Sequence, residues 1–199
     1  MDLATPVRLA GRLVVLEPLD ETHADGLWEA AQDPEVWRHT HADVGGSRAA
    51  FDDWLGQALA EARDGLSLPF AQLDAGGVPV GSTRYMSLRP EHRVLEIGHT
   101  WLASRTWGRG VNSEAKLLLL RHAFETLGCM RVEFKTDARN ERSRAALAAL
   151  PARFEGVFAK HMLVRDGVVR DSAWYAITDD EWPAVRASLE ARVAGFLSG

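Results

Sequence analysis

The sequence predicts a mixed α/β fold in which helices flank a mainly antiparallel sheet. Three observations support this fold class. Short segments of alternating apolar and polar residues recur along the chain and indicate strands. Two pairs of these segments are joined by tight glycine turns, at residues 74–77 and 166–167, which are typical of antiparallel hairpins. Segments with apolar residues three and four positions apart, such as Phe51, Leu55 and Ala58, indicate helices.

The first half of the chain begins with a short apolar strand that ends at Pro18. Helix signals follow, because Thr22 and Ser47 are residue types that cap helix starts, and Asp33-Pro34 breaks the first helix. The predicted elements are, in order, a strand over residues 13–16, a helix from Thr22 to residue 32, a short turn carrying Val36 and Trp37, a helix from Ser47 to about residue 64, and strands over 68–73 and 78–86.

The centre of the chain, residues 94–127, carries the most informative pattern. It begins as a strand, passes through a polar turn at residues 104–110, and continues as an amphipathic helix. A strand that enters a helix through such a turn leaves backbone N–H groups unpaired at the positive end of the helix dipole. Gly108 and Gly110 have no Cβ and would let a ligand approach the main chain. The pattern therefore predicts an anion site, most often one for phosphate.

The rest of the chain adds one strand, a short helix, a hairpin and a last helix. Pro151 ends the short helix, and Asp179 is the expected cap of the last one. The predicted elements are, in order, a strand over 131–136, a helix over 140–150, strands over 154–164 and 168–177, and a helix to residue 192. Because no internal repeat or linker interrupts the pattern, one domain over residues 1–199 is expected.

Composition and charge restrict the function. A net charge of −5 argues against general nucleic-acid binding, which needs a basic face, and favours a cationic or amine-bearing partner. Cys129 is the single cysteine, so no internal disulfide can form, which fits a reducing compartment. The N-terminus lacks a signal-peptide pattern, and no apolar run has membrane-spanning length. We therefore expect a cytoplasmic protein whose partners include neither nucleic acid nor membrane.

The central turn can be compared with known phosphate-binding motifs. The Walker spacing is absent, and the dinucleotide fingerprint G-x-G-x-x-G fails because Ser113 takes the place of its third glycine. The turn resembles the acyl-CoA pyrophosphate loop of the GNAT superfamily of N-acyltransferases, Gln/Arg-x-x-Gly-x-Gly/Ala. One register runs from Arg105 to Gly110 and fits the letters, whereas a second runs from Trp107 to Asn112 and fits the helix start better. An ordinary βα turn, with glycines for geometry alone, is the structural alternative.

We favour the second register, which is similar to the RimJ/RimL branch of ribosomal-protein N-terminal acetyltransferases, although Asn112 departs from the usual Gly or Ala. The order of predicted elements also resembles the GNAT order over nearly the full length. The resemblance implies that the fourth and fifth strands run parallel and splay apart, with acyl-CoA between them against residues 94–150. It assigns the acyl carbonyl to backbone N–H groups near Trp101 and Leu102. It assigns the pyrophosphate to Trp107, Gly108, Arg109, Gly110, Val111 and Asn112.

The segment DARNERSR, residues 137–144, also resembles the RimJ/RimL pattern. The plain interpretation is that Asn140 and Ser143 satisfy free N–H groups at a helix start. The resemblance implies instead that Asn140 bonds the pantetheine arm and that Ser143 faces the thioester sulfur. Many family members place a Tyr seven residues after this Asn to protonate the leaving thiolate. In this chain that position is Leu147, so the role passes to Ser143 by default.

Acylation of an amine needs a group that takes a proton from the ammonium form. A partly buried carboxylate can do this, and Glu96 lies in the central strand, eleven residues before Trp107. This spacing resembles the general-base position of the histone-type GNAT enzymes. His99 is the second candidate, because an imidazole relays protons directly or through water. The structural alternatives are a carboxylate paired with an arginine and a half-buried polar histidine.

The resemblance implies an N-acetyltransferase that uses acetyl-CoA. His39, His41 and Trp37 fall where the first two helices wall the family's acceptor pocket, and the sequence offers no third ligand nearby, so no metal is predicted. The RimJ/RimL likeness implies a protein N-terminal amine as acceptor, although relatives also acetylate small amines, amino acids and antibiotics. A non-catalytic CoA-binding sensor is the alternative from another class, and a homodimer stays open.

Overall fold

An eight-stranded sheet runs through the chain, of which the computed structural model describes residues 6–38, 40 and 43–198. Its strands are, in chain order, β1 Leu9–Ala10, β2 Val14–Pro18, β3 Leu68–Asp74, β4 Pro79–Arg89, β5 Val94–Leu102, β6 Arg131–Asp137, β7 Arg153–Leu163 and β8 Val169–Thr178. Their spatial order is β1-β2-β3-β4-β5-β6-β8-β7. Neighbours run antiparallel except β5 and β6, which run parallel. The predicted mixed, mainly antiparallel fold class is confirmed.

Helices cover both faces of the sheet. They are, in chain order, α1 Ala24–Ala30, α2 Arg48–Arg63, α3 Val111–Arg121, α4 Glu141–Ala148 and α5 Trp182–Ser198. On one face α3 and α5 pack together over the larger core, which includes Leu120 and Leu189. On the other face α1 and α2 form a smaller core that includes Leu27 and Phe51. Among the described residues, none of the helices combines the length and apolar composition that a membrane span requires.

The helix starts follow local capping chemistry, in part as predicted. Ser47 caps α2, because its hydroxyl accepts a hydrogen bond from Ala50 N at 3.1 Å. Thr22 does not cap the first helical segment; Asp20 does, with its carboxylate accepting from Thr22 N at 2.8 Å. A 3₁₀ turn over Glu21–His23 then precedes α1. The prediction was wrong because Asp and Thr are both good caps and stand two residues apart here.

Two helices end differently from the prediction. α3 stops at Arg121 and continues as a π-helical turn over His122–Thr126. α5 begins at Trp182 rather than directly after Asp179, and it extends through Ser198. The extension has a packing reason, because Leu197 is partly buried against the larger core.

β5 and β6 are paired over three residues only. Residues 94–96 pair with residues 131–133, and beyond them the described part of β5 pairs with β4 alone and β6 with β8 alone. The strands therefore diverge after Glu96 and open a cleft between two unpaired strand edges. This is the splay that was expected between the fourth and fifth predicted strands. Those strands are β5 and β6 here, because the two-residue strand β1 was not predicted and shifts the numbering by one.

A bulge in β5 borders this cleft. The register with β4 shifts between Ser82 and Arg84, and His99 takes a left-handed φ of 47° there. In a regular strand, residues four positions apart lie on the same face. Here Ile97 lies in the larger core and Trp101 lies in the smaller core on the other face, because the bulge inserts one extra residue between them.

Candidate functional site

The loop before α3 presents backbone N–H groups beside the end of β5. α3 begins at Val111 with Gly110 as its N-cap, and no side chain caps it. Glu114 N donates to Gly110 O at 2.9 Å, which is the first pairing of the helix. Within the described chain, the N–H groups of residues 111–113 therefore have no protein acceptor, so this helix start can bind an anion. In both registers of the acyl-CoA motif the last glycine is Gly110, and the helix starts directly after it.

Gly108 and Gly110 share a left-handed backbone, with φ of 73° and 82°, but differ in their surroundings. A Cβ on Gly110 would lie 2.7 Å from Phe196 and 2.8 Å from Leu13, so the core side of the loop has no room for one. A Cβ on Gly108 would have no protein atom within 4 Å. Gly108 is therefore the glycine whose backbone stands open to a ligand.

Three sets of contacts hold this loop and the first turn of α3 in place. Trp107 Nε1 donates to Leu102 O at 3.0 Å, which ties the loop to the end of β5. The Arg142 guanidinium lies 3.6 Å from the centre of the Trp107 ring, and this cation–π contact ties the loop to α4. The buried Glu114 carboxylate accepts three backbone N–H groups, from residues 12–14. The loop is thus fixed to β5, to α4 and to the start of β2.

Asn140 is the N-cap of α4, because its Oδ1 accepts from Ser143 N at 3.0 Å. Capping uses the oxygen alone. Within the described chain, the Asn140 amide nitrogen and the Ser143 hydroxyl make no hydrogen bond, so both stay available to a ligand. The contact between Arg142 and Trp107 brings these groups close to the loop before α3.

Glu96 lies where β5 and β6 separate, and only 1% of the residue is exposed. Its Oε2 accepts from Ser87 Oγ at 3.1 Å and from Lys135 Nζ at 3.0 Å. The ion-pair partner is a lysine of β6 rather than an arginine, so the pair bridges the splayed strands. Oε1 has no hydrogen bond within the described chain and lies close to Gly98, where a Cβ would come within 3.0 Å of it. One carboxylate oxygen is fixed, and the other can accept a proton.

His99 lies half-buried at the bulge, and its neighbour Thr100 leads to a residue that sequence reasoning missed. Lys116 Nζ donates to Thr100 Oγ1 at 2.8 Å, and that hydroxyl is 2.7 Å from Thr83 Oγ1. Lys116 is 7% exposed, and burial lowers its pKa to about 7. The sequence does indicate that Lys116 is buried, because it stands four residues before Leu120 and therefore lies on the apolar side of α3.

Lys116→Met should change how stability depends on pH. The pKa of Lys116 is about 7 in the folded protein, whereas lysine titrates near 10.4 when unfolded. Between these values the unfolded chain binds the additional proton, so the free energy of unfolding of the wild type rises with pH. Methionine does not titrate, so the variant lacks this rise. Its free energy of unfolding relative to that of the wild type should therefore fall by about 2–5 kcal/mol from pH 7 to pH 10.

Urea unfolding across this pH interval measures the effect. Lys160→Met is the matched control, because Lys160 is exposed on β7, and its curve should run parallel to that of the wild type. A parallel curve for Lys116→Met as well would show that the buried amine does not titrate in this interval.

The predicted acceptor residues are described only in part. His39 and His41 lie outside the described residues. Trp37 is 3% exposed, donates Nε1 to Ala31 O at 2.7 Å, and packs 5.1 Å from the ring of Trp101. It therefore supports the connection between α1 and α2 from the inside. That connection borders a surface cavity shared with the start of α4, lined by Glu35, Arg38, Arg139, Asn140, Glu141 and Arg142.

Trp101 and Leu102 are buried at the end of β5, past the bulge. Trp101 O accepts from Gln72 Nε2 at 3.3 Å, and Leu102 O accepts from Trp107. Their role in holding an acyl carbonyl stays a prediction. Among the described residues, no group of three His, Cys, Asp or Glu side chains is placed to hold a metal ion.

Comparisons with known proteins identify the family and agree with the fold. Residues 13–152 match the family model of the acetyltransferase (GNAT) domain. A GCN5-related N-acetyltransferase from Brucella melitensis is 31% identical to this chain, with a TM-score of 0.88. The match covers 95% of this chain and 86% of the Brucella chain. A protein from T. thermophilus that is assigned as an acetyltransferase is 41% identical, with a TM-score of 0.84. The match covers 94% of this chain and 97% of the T. thermophilus chain. Mycobacterium smegmatis RimJ, solved with CoA-disulfide, is 27% identical with a TM-score of 0.76, covering 94% and 93%. No curated protein matches the sequence.

Proposed function

Because the chain belongs to the GNAT family and is an acetyl-CoA-dependent N-acetyltransferase, we propose that it transfers the acetyl group to a primary amine in the cleft between β5 and β6. The observation that carries this proposal is the arrangement of the cleft. Unpaired N–H groups at the start of α3 lie beside one wall, and the buried Glu96 lies where the walls meet.

The pyrophosphate of acetyl-CoA binds residues 107–112 in this proposal. Backbone N–H groups of residues 111–113 supply hydrogen bonds, and Gly108 lets the phosphates approach the main chain. The pantetheine arm then follows the unpaired edge of β5, where the Asn140 amide nitrogen donates to it. M. smegmatis RimJ is a relative that was solved with CoA-disulfide, which supports CoA as the ligand.

The acetyl transfer proceeds by direct attack. Glu96 Oε1 takes a proton from the acceptor ammonium, and the neutral amine forms a C–N bond with the thioester carbon. Backbone N–H groups near Trp101 and Leu102 stabilise the oxyanion that develops. The C–S bond then breaks, and the CoA thiolate leaves while accepting a hydrogen bond from Ser143. The attacking nitrogen gives up its second proton to this thiolate, so the products are the amide and the free thiol of CoA. His99 is the secondary candidate for proton transfer.

A protein N-terminal amine is the acceptor that the RimJ/RimL likeness favours, and it is supported by the likeness to M. smegmatis RimJ and by the register that begins at Trp107. Small amines, amino acids and antibiotics are the alternative acceptors. We propose that His39 and His41 take part in acceptor binding and that Trp37 supports this region from the inside. We also propose one domain over residues 1–199 and a cytoplasmic location.

Asn140→Asp should weaken acetyl-CoA binding about tenfold without destabilising α4. An aspartate keeps the oxygen that caps Ser143 N but loses the amide donor, and one hydrogen bond is worth about 1–1.5 kcal/mol. Calorimetry with acetyl-CoA measures the change, and an unchanged melting temperature shows that the cap is kept. Unaltered affinity in the folded variant would remove Asn140 from the pantetheine site.

Ser143→Ala should leave binding intact and lower turnover about tenfold, the scale of one hydrogen bond made chiefly in the transition state. A serine hydroxyl is a poor acid, and the CoA thiolate is a fairly good leaving group, so its protonation need not limit the rate. Steady-state kinetics with saturating acetyl-CoA measure the loss. A decrease of several thousandfold would mean that the serine carries a larger part of the reaction.

The proposed function is tested by thiol release from acetyl-CoA across a panel of peptides and small amines. We expect release that depends on both the protein and a primary amine, together with acetylated product detected by mass spectrometry. Binding of acetyl-CoA without acceptor-dependent thiol release would contradict the proposed transfer.

A further inference from the structure

One face of β6 and β8 is polar and lies on the side of Glu96. Phe134 and Tyr175 belong to the core under α3 and α5, so the residues that alternate with them point to the opposite face. Leu95 and Ile97 also belong to that core, which places Glu96 on the polar face too. The residues of β6 and β8 on this face include Glu133, Lys135, Asp137, Arg170, Ser172 and Trp174.

Arg170 is a buried cation on this face, with 8% of the residue exposed. Its Nε donates to Ser172 Oγ at 3.1 Å, so the side chain leans along β8 toward the register position of Trp174 and Lys135. Burial lowers the pKa of Arg170, and the charges of Asp137 and Glu96 oppose that effect. The guanidinium therefore lies within electrostatic reach of Glu96.

The carboxylates of this face each have their own cation. Glu96 pairs with Lys135 at 3.0 Å, and Asp137 pairs with Arg139 at 2.7 Å. Glu133 pairs with Arg131 at 2.8 Å and also with Arg89. Arg170 is different, because in the described part of the chain it forms no ion pair and its two terminal nitrogens make no hydrogen bond.

A second donor on the same face also lacks an acceptor. Trp174 Nε1 is buried and has no hydrogen-bond partner among the described residues. A buried cation and a buried N–H without acceptors are both costly. The ligand that would satisfy the two terminal nitrogens of Arg170 is an anion with acceptor oxygens.

We infer that Arg170 binds a carboxylate of the acceptor, so that the substrate is a primary amine with a carboxylate a few bonds away. This inference rests on the proposed function, because it places the acceptor on the face of Glu96. The planar guanidinium fork matches a carboxylate in two parallel hydrogen bonds. Two sources share this chemistry, an α-amino acid and a peptide whose first residue is acidic.

The test compares matched acceptors in the acetyl-transfer assay. One pair is an α-amino acid and its carboxamide, and the other is two peptides that begin with Glu or Gln and end in an amide. For the wild type we expect kcat/KM at least about tenfold higher for the carboxylate member of one pair, and that pair identifies the source. Arg170→Gln should lower that value by about 10–100-fold, chiefly through KM, and change the neutral member by less than about threefold.

Two further variants separate recognition from folding. Arg170→Lys keeps the charge and loses the fork, so it should retain part of the preference. Arg153→Gln removes an exposed arginine of β7 and should leave the preference intact. Equal losses for both members of the pair would overturn the inference in favour of a structural role, and so would a wild type that acetylates both members equally. If Arg170→Gln does not fold, Arg170→Lys takes its place. A smaller preference for the carboxylate member in that variant would support the inference, and an unchanged preference would overturn it.

Failure of the proposed function is distinguishable from failure of this inference. If no amine releases thiol, calorimetry of the same acceptors with the CoA-bound protein tests Arg170 directly. Binding of a carboxylate member that Arg170→Gln weakens at least about tenfold would uphold the carboxylate site. Equal binding of both members, or no binding of either, would overturn it.

Discussion

Glu96→Gln should lower turnover by about 10²-fold or more, because glutamine keeps the shape of the side chain and cannot take the proton from the ammonium. The structure adds a reason for expecting a large effect. Ser87 and Lys135 occupy Oε2, so Oε1 is the atom left to accept the proton, and it lies at the point where the strands separate. The acidic limb of the pH–rate profile should vanish in the variant, since that limb follows protonation of the base.

Glu133→Gln is the matched control for this prediction. Glu133 is the register partner of Glu96 on β6, is buried on the same face, and is also held by ion pairs. The same chemical change there should alter stability and leave turnover within about threefold. If the acidic limb survives in Glu96→Gln and vanishes in His99→Gln, the histidine is the base and the assignment is reversed.

Gly108→Ala should weaken acetyl-CoA binding by about 10–100-fold, because a methyl group would project into space that we assign to the phosphates, and disturbed phosphate contacts cost roughly 1–3 kcal/mol. No protein atom beyond the two neighbouring residues lies within 4 Å of that methyl group, so its cost to the fold is the local strain of a left-handed backbone. Gly110→Val would be a poorer test, since its side chain meets Phe196 and Leu13 and would disturb the fold directly.

The left-handed backbone of Gly108 carries a strain cost of its own, and Gly128→Ala measures it. Gly128 has a φ of 68°, close to the 73° of Gly108, and is also free of protein atoms within 4 Å. It follows the far end of α3, away from the proposed phosphate site. Calorimetry should show weak binding for Gly108→Ala and wild-type binding for Gly128→Ala, with similar losses of stability. Equal affinities in the two variants would place the phosphates elsewhere.

The sequence predicted most of the elements that build the cleft, because each has a local signal. The glycine turn at residues 74–77, the cap at Ser47 and the helix after Gly110 depend on a few neighbouring residues. The splay between β5 and β6 has no such signal in composition or periodicity. It was predicted through the family resemblance alone.

The parts that could not be predicted depend on contacts between distant residues. The bulge at His99 reverses the alternation of β5, and a sequence pattern does not show where one extra residue is inserted. That reversal turns Thr100 toward Lys116. In the sequence Arg170 is an ordinary strand residue. Among the described residues, only the structure shows that each neighbouring carboxylate pairs with another cation and that Arg170 forms no ion pair.

The most direct test of the proposed acyl-CoA site is a crystal structure of the protein with bound CoA. We expect pyrophosphate oxygens on the N–H groups of residues 111–113 and the main chain of Gly108 against the phosphates. We also expect the Asn140 amide on the pantetheine arm, with the thiol between β5 and β6. CoA bound outside this cleft, or phosphates that make no contact with the start of α3, would contradict the proposed site.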